Sequence, residues 1–358
     1  MGNKAKGGIL DLDSFINEVS LLNKEAMKAC KQRLDSIAKP LNSLGKLEDT
    51  LIQIAGITGS AQISLKKKAL VIMCADNGVV EEGISQTGQE VTAIVAENFL
   101  KKETTASIMC HQMGADIFPI DIGIARDTNI IQRKISYGTK NIAKGPAMTE
   151  EEAIKALEVG ISVVKELKEQ GYELIATGEM GIGNTTTSSA LASVLLECPV
   201  EMVTGRGAGL SSEGVLRKIK VIKRAIEINK CRKEEPLHLL AGVGGLDIAG
   251  LAGVFMGGGI YHVPIVIDGM ISSVAALLAT RLCKNLSSYM IPSHLSKEPA
   301  GAMLLKALEK SPFLTCDMSL GEGTGAISIF PLLNMAAAVY EEMSTFKENH
   351  IEAYKELK

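Results

Sequence analysis

Two carboxylates stand where their surroundings leave them open to a ligand. Glu322 lies in "SLGEGTGAIS" (319–328), flanked by Gly321 and Gly323, and Glu179 opens "GEMGIGNTTTSSAL" (178–191). Glycine at this density makes room for close backbone approach. Paired acids suggest acid/base or glycosyl chemistry, and each would serve equally as a helix cap. Behind Glu179, a Gly-rich turn (Gly181, Gly183) leads into Asn184 and Thr185. A turn of this kind opening a helix presents backbone N–H groups and a positive helix end to a phosphate or carboxylate. It is neither a Walker A loop nor the dinucleotide GxGxxG, and Thr185 or Thr186 could simply cap the helix.

"VTGRGAGLS" (203–211) is a second such turn, with Gly205, Arg206 and Gly207, again ahead of a helix. Two loops of this kind point to a phosphorylated ligand and away from glycoside hydrolysis. Lys218, two turns into the following helix, reads as a solvated lysine. His294, with no Ser or Cys nucleophile motif beside it, reads as a core histidine. No HxxxH, HExxH or acidic cluster offers a metal site.

The elements that must position these residues are short apolar runs ending in Gly, Asp or Ser. They are "ALVIMCADNG" (69–78), "DIFPIDIG" (116–123), "ELIATGEMGIGN" (173–184), "LHLLAGVGG" (237–245), "VPIVIDG" (263–269), "LSSYMIPS" (286–293) and "FLTCDMSLGEG" (313–323). Between them lie segments of helical periodicity, such as 150–171 and 211–230. Buried runs alternating with amphipathic helices predict an α/β fold around a mostly parallel sheet. Ligands of such sheets bind beyond the strands' carboxyl ends. Asp76-Asn77-Gly78, Gly178-Glu179, Gly244-Gly245, Asp268-Gly269, Ser293-His294 and Gly321-Glu322-Gly323 are then expected on one rim. The first 60 residues and the C-terminus are helical in pattern. They predict a small helical unit from residues 1–40 and 333–358 beside a main α/β domain over 41–332.

With 358 residues and 46% hydrophobic content, the chain can bury a large core. A net charge of −3 without a basic block argues against nucleic acid or an anionic membrane as partner. Seven dispersed cysteines without a CxxC pair read as reduced thiols of a cytoplasmic protein. The N-terminal residues lack a signal-like apolar run, and Lys6 breaks the myristoylation pattern that Gly2 begins.

Nine motifs in order carry a resemblance over nearly the whole chain. Among them are "LDSIAKPLNSLGKLEDTLIQIA", "ADNGVVEEGISQTGQEVTAIVAENFL", "GEMGIGNTTTSSAL", "TGRGAGL", "GGLDIAGLAG", "IDGMISSVAAL", "SHLSKEPAG" and "DMSLGEGTGA". The set resembles the nicotinate-nucleotide:dimethylbenzimidazole phosphoribosyltransferases, which assemble the lower-ligand nucleotide of cobamides. The resemblance implies a Rossmann-like sheet and a dimer with sites near its interface. It implies transfer of phosphoribose from nicotinate mononucleotide to an aromatic acceptor with inversion, without cofactor or metal. It assigns the catalytic base to Glu322, and to Glu179 the orientation of the acceptor. It also assigns the ribose-phosphate motif to Gly181, Gly183, Asn184 and Thr185. Gly205, Gly207, Asp268, Gly269, Ser293 and His294 fall on further rim loops, and Lys218 on a helix lysine that reaches the ligand.

The sequence departs from the family pattern at Asn77 (usually His), Ser319 (usually Arg), Ala302 (usually His) and Asn42 (usually Gly). Both carboxylates remain. Some members use phenol or p-cresol and pair two unlike subunits. The acceptor is therefore open between dimethylbenzimidazole and a phenolic, and the assembly between homodimer and heterodimer. A non-catalytic supporting subunit is the alternative from another class.

Overall fold

A computed structural model describes residues 18–354 of the chain. The N-terminal readings over residues 1–17 and the last four residues of the C-terminal segment lie outside the described residues. Six parallel strands form one sheet in the order β3-β2-β1-β4-β5-β6. They are β1 (Lys68–Ala75), β2 (Asp116–Gly123), β3 (Ile131–Gln132), β4 (Leu174–Met180), β5 (Ile265–Ile267) and β6 (Met290–Pro292). The order reverses between β1 and β4, so the crevice beyond their carboxyl ends is the topological switch point of a doubly wound sheet. Asp76 and Asn77 follow β1 directly, and Glu179 lies at the end of β4.

All eight residues of β1 are buried. Ala69, Val71, Met73 and Ala75 face one hydrophobic core, while Leu70, Ile72 and Cys74 face the other. Burial on both faces explains why this strand reads as an unbroken apolar run. The second core also takes Cys30, Leu34 and Ile37 from the N-terminal segment, with Leu333, Ala336 and Tyr340 from the C-terminal one. Those segments meet at an antiparallel bridge between Ile37 and Thr345, and the Arg33 guanidinium donates to the Met343 carbonyl at 3.0 Å. The C-terminal helix stops at Glu342, with Met343 extended.

The first core is closed by the helix Leu246–Ile260, buried along all but its last residue. Its glycines let it lie against both the sheet and the helix Glu150–Glu169. A side chain starting at Gly253 would run into the Leu157 carbonyl, and one at Gly160 into the Gly250 carbonyl. Gly250 sits over Ile122 and Met73 of the sheet. Backbone therefore packs on backbone, and the helix carries Asp247 in its first turn to the switch point.

Two expected strands are not strands. Residues 237–245 fall in a helix, Pro236–Val243, running up to Leu246–Ile260. An apolar run buried in a helical layer has no period that separates it from a buried strand. Gly244-Gly245 is thus a junction between helices. Residues 313–323 form a loop whose single bridge joins Leu314 to His294, with Asp317 at φ 52°. In 286–293 only Met290–Pro292 is strand, after a 3₁₀ turn over Lys284–Tyr289. The two-residue edge strand β3 is exposed and left no sequence signal.

If backbone contact fixes the Leu246–Ile260 helix, Gly253→Val should destabilise the protein by about 1–3 kcal/mol through overpacking. Gly145→Ala, where nothing lies within 4 Å of the new carbon, should stay within about 0.5 kcal/mol. Urea unfolding of the two variants makes the comparison.

Candidate active site

The crevice at the switch point holds a cavity of about 270 Å³. Glu179 forms part of its floor, the Gly181–Thr185 turn one wall, and Asp268, Gly269 and His294 another. Gly207 and the Gly321-Glu322 turn complete the rim. Of the other expected site residues, Gly183 and Gly205 line adjoining recesses. Ser293, Gly323 and Lys218 lie behind the surface.

Glu322 stands in the left-handed region, φ 59°, between Gly321 at 88° and Gly323 at 85°. Such a turn disfavours side chains, so something must hold it. Asp268, at the end of β5, does so. Its carboxylate accepts from the Gly323 N–H at 3.2 Å and the Ala326 N–H at 3.0 Å. The turn lies flat on β4, where any side chain at Gly178 would strike the Glu322 carbonyl. Glu322 Oε2 accepts weakly from the Ala106 N–H at 3.5 Å, at the start of the helix Thr105–Gln112. Burial raises its proton affinity, the Ala106 N–H works against this, and Asp268 adds to it.

Glu179 is 7% exposed and shares Asn184 with a second acid. The Asn184 amide donates to Glu179 Oε2 and, at 2.9 Å, to Asp247 Oδ2. Burial pushes Glu179 up to about 8, reinforced by the Asp247 charge and opposed by Asn184. Burial also pushes Asp247 up to about 6. Asp268 is raised by burial too, with His294 and the backbone N–H groups pulling the other way. His294 is buried, and its Nδ1 lies 3.0 Å from Ser293 Oγ. Acids outnumber bases around this cavity.

Lys218 is not solvated. It is 1% exposed and donates to Thr185 Oγ1 at 2.8 Å and to the Gly205 carbonyl at 3.5 Å. Burial depresses it to about 8. The helix Asn184–Leu195 begins at Gly183, φ 96°, with no side chain capping its first N–H groups. A side chain at Gly183 would press on Val80 and Asn77, so packing as well as its φ demands glycine there. Thr185 at this helix start, with a buried cation behind it, puts a donor and positive charge on one side of the cavity, the features an anion needs.

Two acids escaped the sequence reading as site residues: Asp247 and Glu298. Asp247 is the single charge in a helix otherwise apolar and glycine-rich, and that isolation was the available signal. Asn77 is fully buried and outside the cavity, whereas Ser319 lines it.

Comparison with known proteins settles the family. The phosphoribosyltransferase profile matches residues 19–351. A nicotinate-nucleotide–dimethylbenzimidazole phosphoribosyltransferase of Clostridium acetobutylicum is 50% identical over 352 residues, covering 98% of this chain and all of the relative. The protein of the same name from Acetivibrio thermocellus is 48% identical over 343 residues, covering 95% of this chain and 98% of the relative. The chain belongs to this phosphoribosyltransferase family. The crystal structure of CobT from Thermus thermophilus superposes with a TM-score of 0.86 at 36% identity, covering 92% of this chain and 100% of that one. This phosphoribosyltransferase is accordingly an enzyme of the pentosyltransferase class, with the α/β fold its sequence led one to expect. Among its described residues, no helix is long and apolar enough to cross a membrane.

Burial in the fold pushes the Glu179 carboxyl from its ordinary value of about 4.5 up to about 8. Between those values the folded protein keeps a proton that the unfolded chain has lost, so stability falls as pH rises. Glu179→Gln should remove this fall, raising the melting temperature relative to the parent more at pH 8 than at pH 5. A difference independent of pH would show that Glu179 is ionised in the fold.

Proposed function

We propose that this phosphoribosyltransferase moves phosphoribose from nicotinate mononucleotide to 5,6-dimethylbenzimidazole, giving the α-riboside phosphate and nicotinate. The observation that carries the reading is one cavity with an anion site at one side and the tethered Glu322 at the other. The phosphate binds at the Asn184–Leu195 helix start, where Thr185 supplies a donor and Lys218, hydrogen-bonded behind it, supplies positive charge. Nicotinate leaves as a neutral pyridine, because the bound pyridinium already carries the charge, so its departure needs no proton.

As that bond lengthens, positive charge grows at the ribose C1′. Glu322, ionised as its role as base requires and fixed in its turn before the charge appears, meets the condition for electrostatic stabilisation, whereas Glu179, pushed up to about 8, is protonated near neutral pH. Glu179, held by Asn184, orients the acceptor, and Glu322 takes the acceptor's proton. Its raised proton affinity makes it a better base than an ordinary surface carboxylate. Bringing the acceptor nitrogen to C1′ opposite the departing nicotinate gives inversion and supplies the positioning term.

The working assembly in this reading is a dimer, of two copies or with a homologous subunit. Seven cysteines with no disulfide among them and a phosphorylated donor fit a cytoplasmic enzyme. A purely supporting subunit would have no use for Glu322 held in so constrained a turn.

Glu322→Gln should lower kcat by about 10²–10⁴-fold while nicotinate mononucleotide binds nearly as well. An unchanged kcat removes Glu322 from the mechanism. Offering the chain alone dimethylbenzimidazole and phenol in competition should yield the benzimidazole riboside. The phenyl riboside as main product would move the acceptor assignment to phenolics, and absence of nicotinate release would favour the supporting role.

A further inference from the structure

Glu298 lies on the loop between His294 and the helix Gly301–Ala307, and it borders both the main cavity and the recess beside Gly205. One of its carboxylate oxygens, Oε2, is buried without any hydrogen-bond partner. That oxygen sits against the face of Gly205, in the space a side chain there would occupy. The cation whose charge acts on it is Lys218, whose ammonium is turned to Thr185 and the Gly205 carbonyl. The two charges influence each other but form no ion pair.

An unpartnered carboxylate oxygen at a binding cavity costs stability until a donor meets it. The phosphate of nicotinate mononucleotide, a dianion near neutral pH, offers acceptors only, as does its nicotinate carboxylate. Its hydrogen-bond donors are the 2′- and 3′-hydroxyls of the ribose. A carboxylate beside a helix-start phosphate site commonly receives a ribose hydroxyl. Glu298 shares the lining of the main cavity with Thr185 and Glu322, and that of the adjoining recess with Gly205.

We infer that Glu298 is a specificity residue that accepts a hydrogen bond from a ribose hydroxyl of the phosphoribosyl donor, making the enzyme select a ribosyl over a deoxyribosyl substrate. This rests on nicotinate mononucleotide being the donor, as proposed above.

The test compares kcat/KM for nicotinate mononucleotide with that for its 2′-deoxy and 3′-deoxy forms, in the parent enzyme, Glu298→Gln and Glu298→Asp. Using ratios cancels the intrinsic reactivity of each sugar. For one of the two deoxy donors, the parent's preference for the ribosyl form should exceed that of Glu298→Gln by about 10–100-fold, the worth of a charged hydrogen bond. Glu298→Asp, with its carboxylate drawn back, should fall between. A residue that only supports the loop or the lysine would lower kcat/KM for all donors by one factor, and equal preferences in parent and variants overturn the inference. Nicotinate release by the parent from the unmodified donor is the separate check on the donor itself. If the parent releases none, the donor assignment fails, and the inference falls with it.

Discussion

Two hydrogen bonds from backbone to one buried carboxylate tie down the turn that carries Glu322 at the cavity rim. Asp268 accepts from Gly323 and Ala326, pinning a turn in which Glu322 occupies a left-handed conformation between two left-handed glycines. Thr324 closes the turn onto the Gly321 carbonyl and β4 lies beneath it, while Asp268 ties it to the end of β5 against the local conformational preference of Glu322. The arrangement also explains the glycines around it. Gly178 must lack a side chain because the Glu322 backbone lies on it, and Gly325 because the His294 ring occupies the space. Preorganisation here is a property of the backbone, and the side chain proposed as the base is carried by it.

The rest of the fold supplies the base of this tether. The strand order reverses between β1 and β4, so loops from both sides of the reversal converge on one crevice. The Leu246–Ile260 helix closes the core through glycine-to-backbone contact and brings Asp247 against Asn184. The same amide serves Glu179, so one helix start links the anion site to the acid floor. Removing water from these acids raises their proton affinities.

β1 was legible as an unbroken apolar run, and β2 and β4 as shorter apolar runs interrupted by Asp121 and Thr177. The rim was legible because glycine and acid cluster at the ends of those runs. The helix Pro236–Val243 was not, since burial on all sides erases the difference between helix and strand. Lys218 looked like a surface lysine two turns into a helix, yet it shares the buried stripe of Gly214, Val221, Ile222 and Ala225. Its period was visible and its charge concealed the meaning. The loop 313–323 read as a strand from its apolar start, whereas its role is to end in a turn held from another strand. No local pattern encodes a tether whose two ends are 55 residues apart.

The central claim is that Asp268 and Glu322 act as one unit, the first positioning the second. A double-mutant cycle on kcat measures this directly, using Asp268→Asn, Glu322→Gln and the pair. Residues that act as a unit are strongly non-additive. Each single variant should be slow, and the double variant no slower than the slower single. If the two losses multiply, Asp268 contributes independently of the turn, and the tether is not what sets the base.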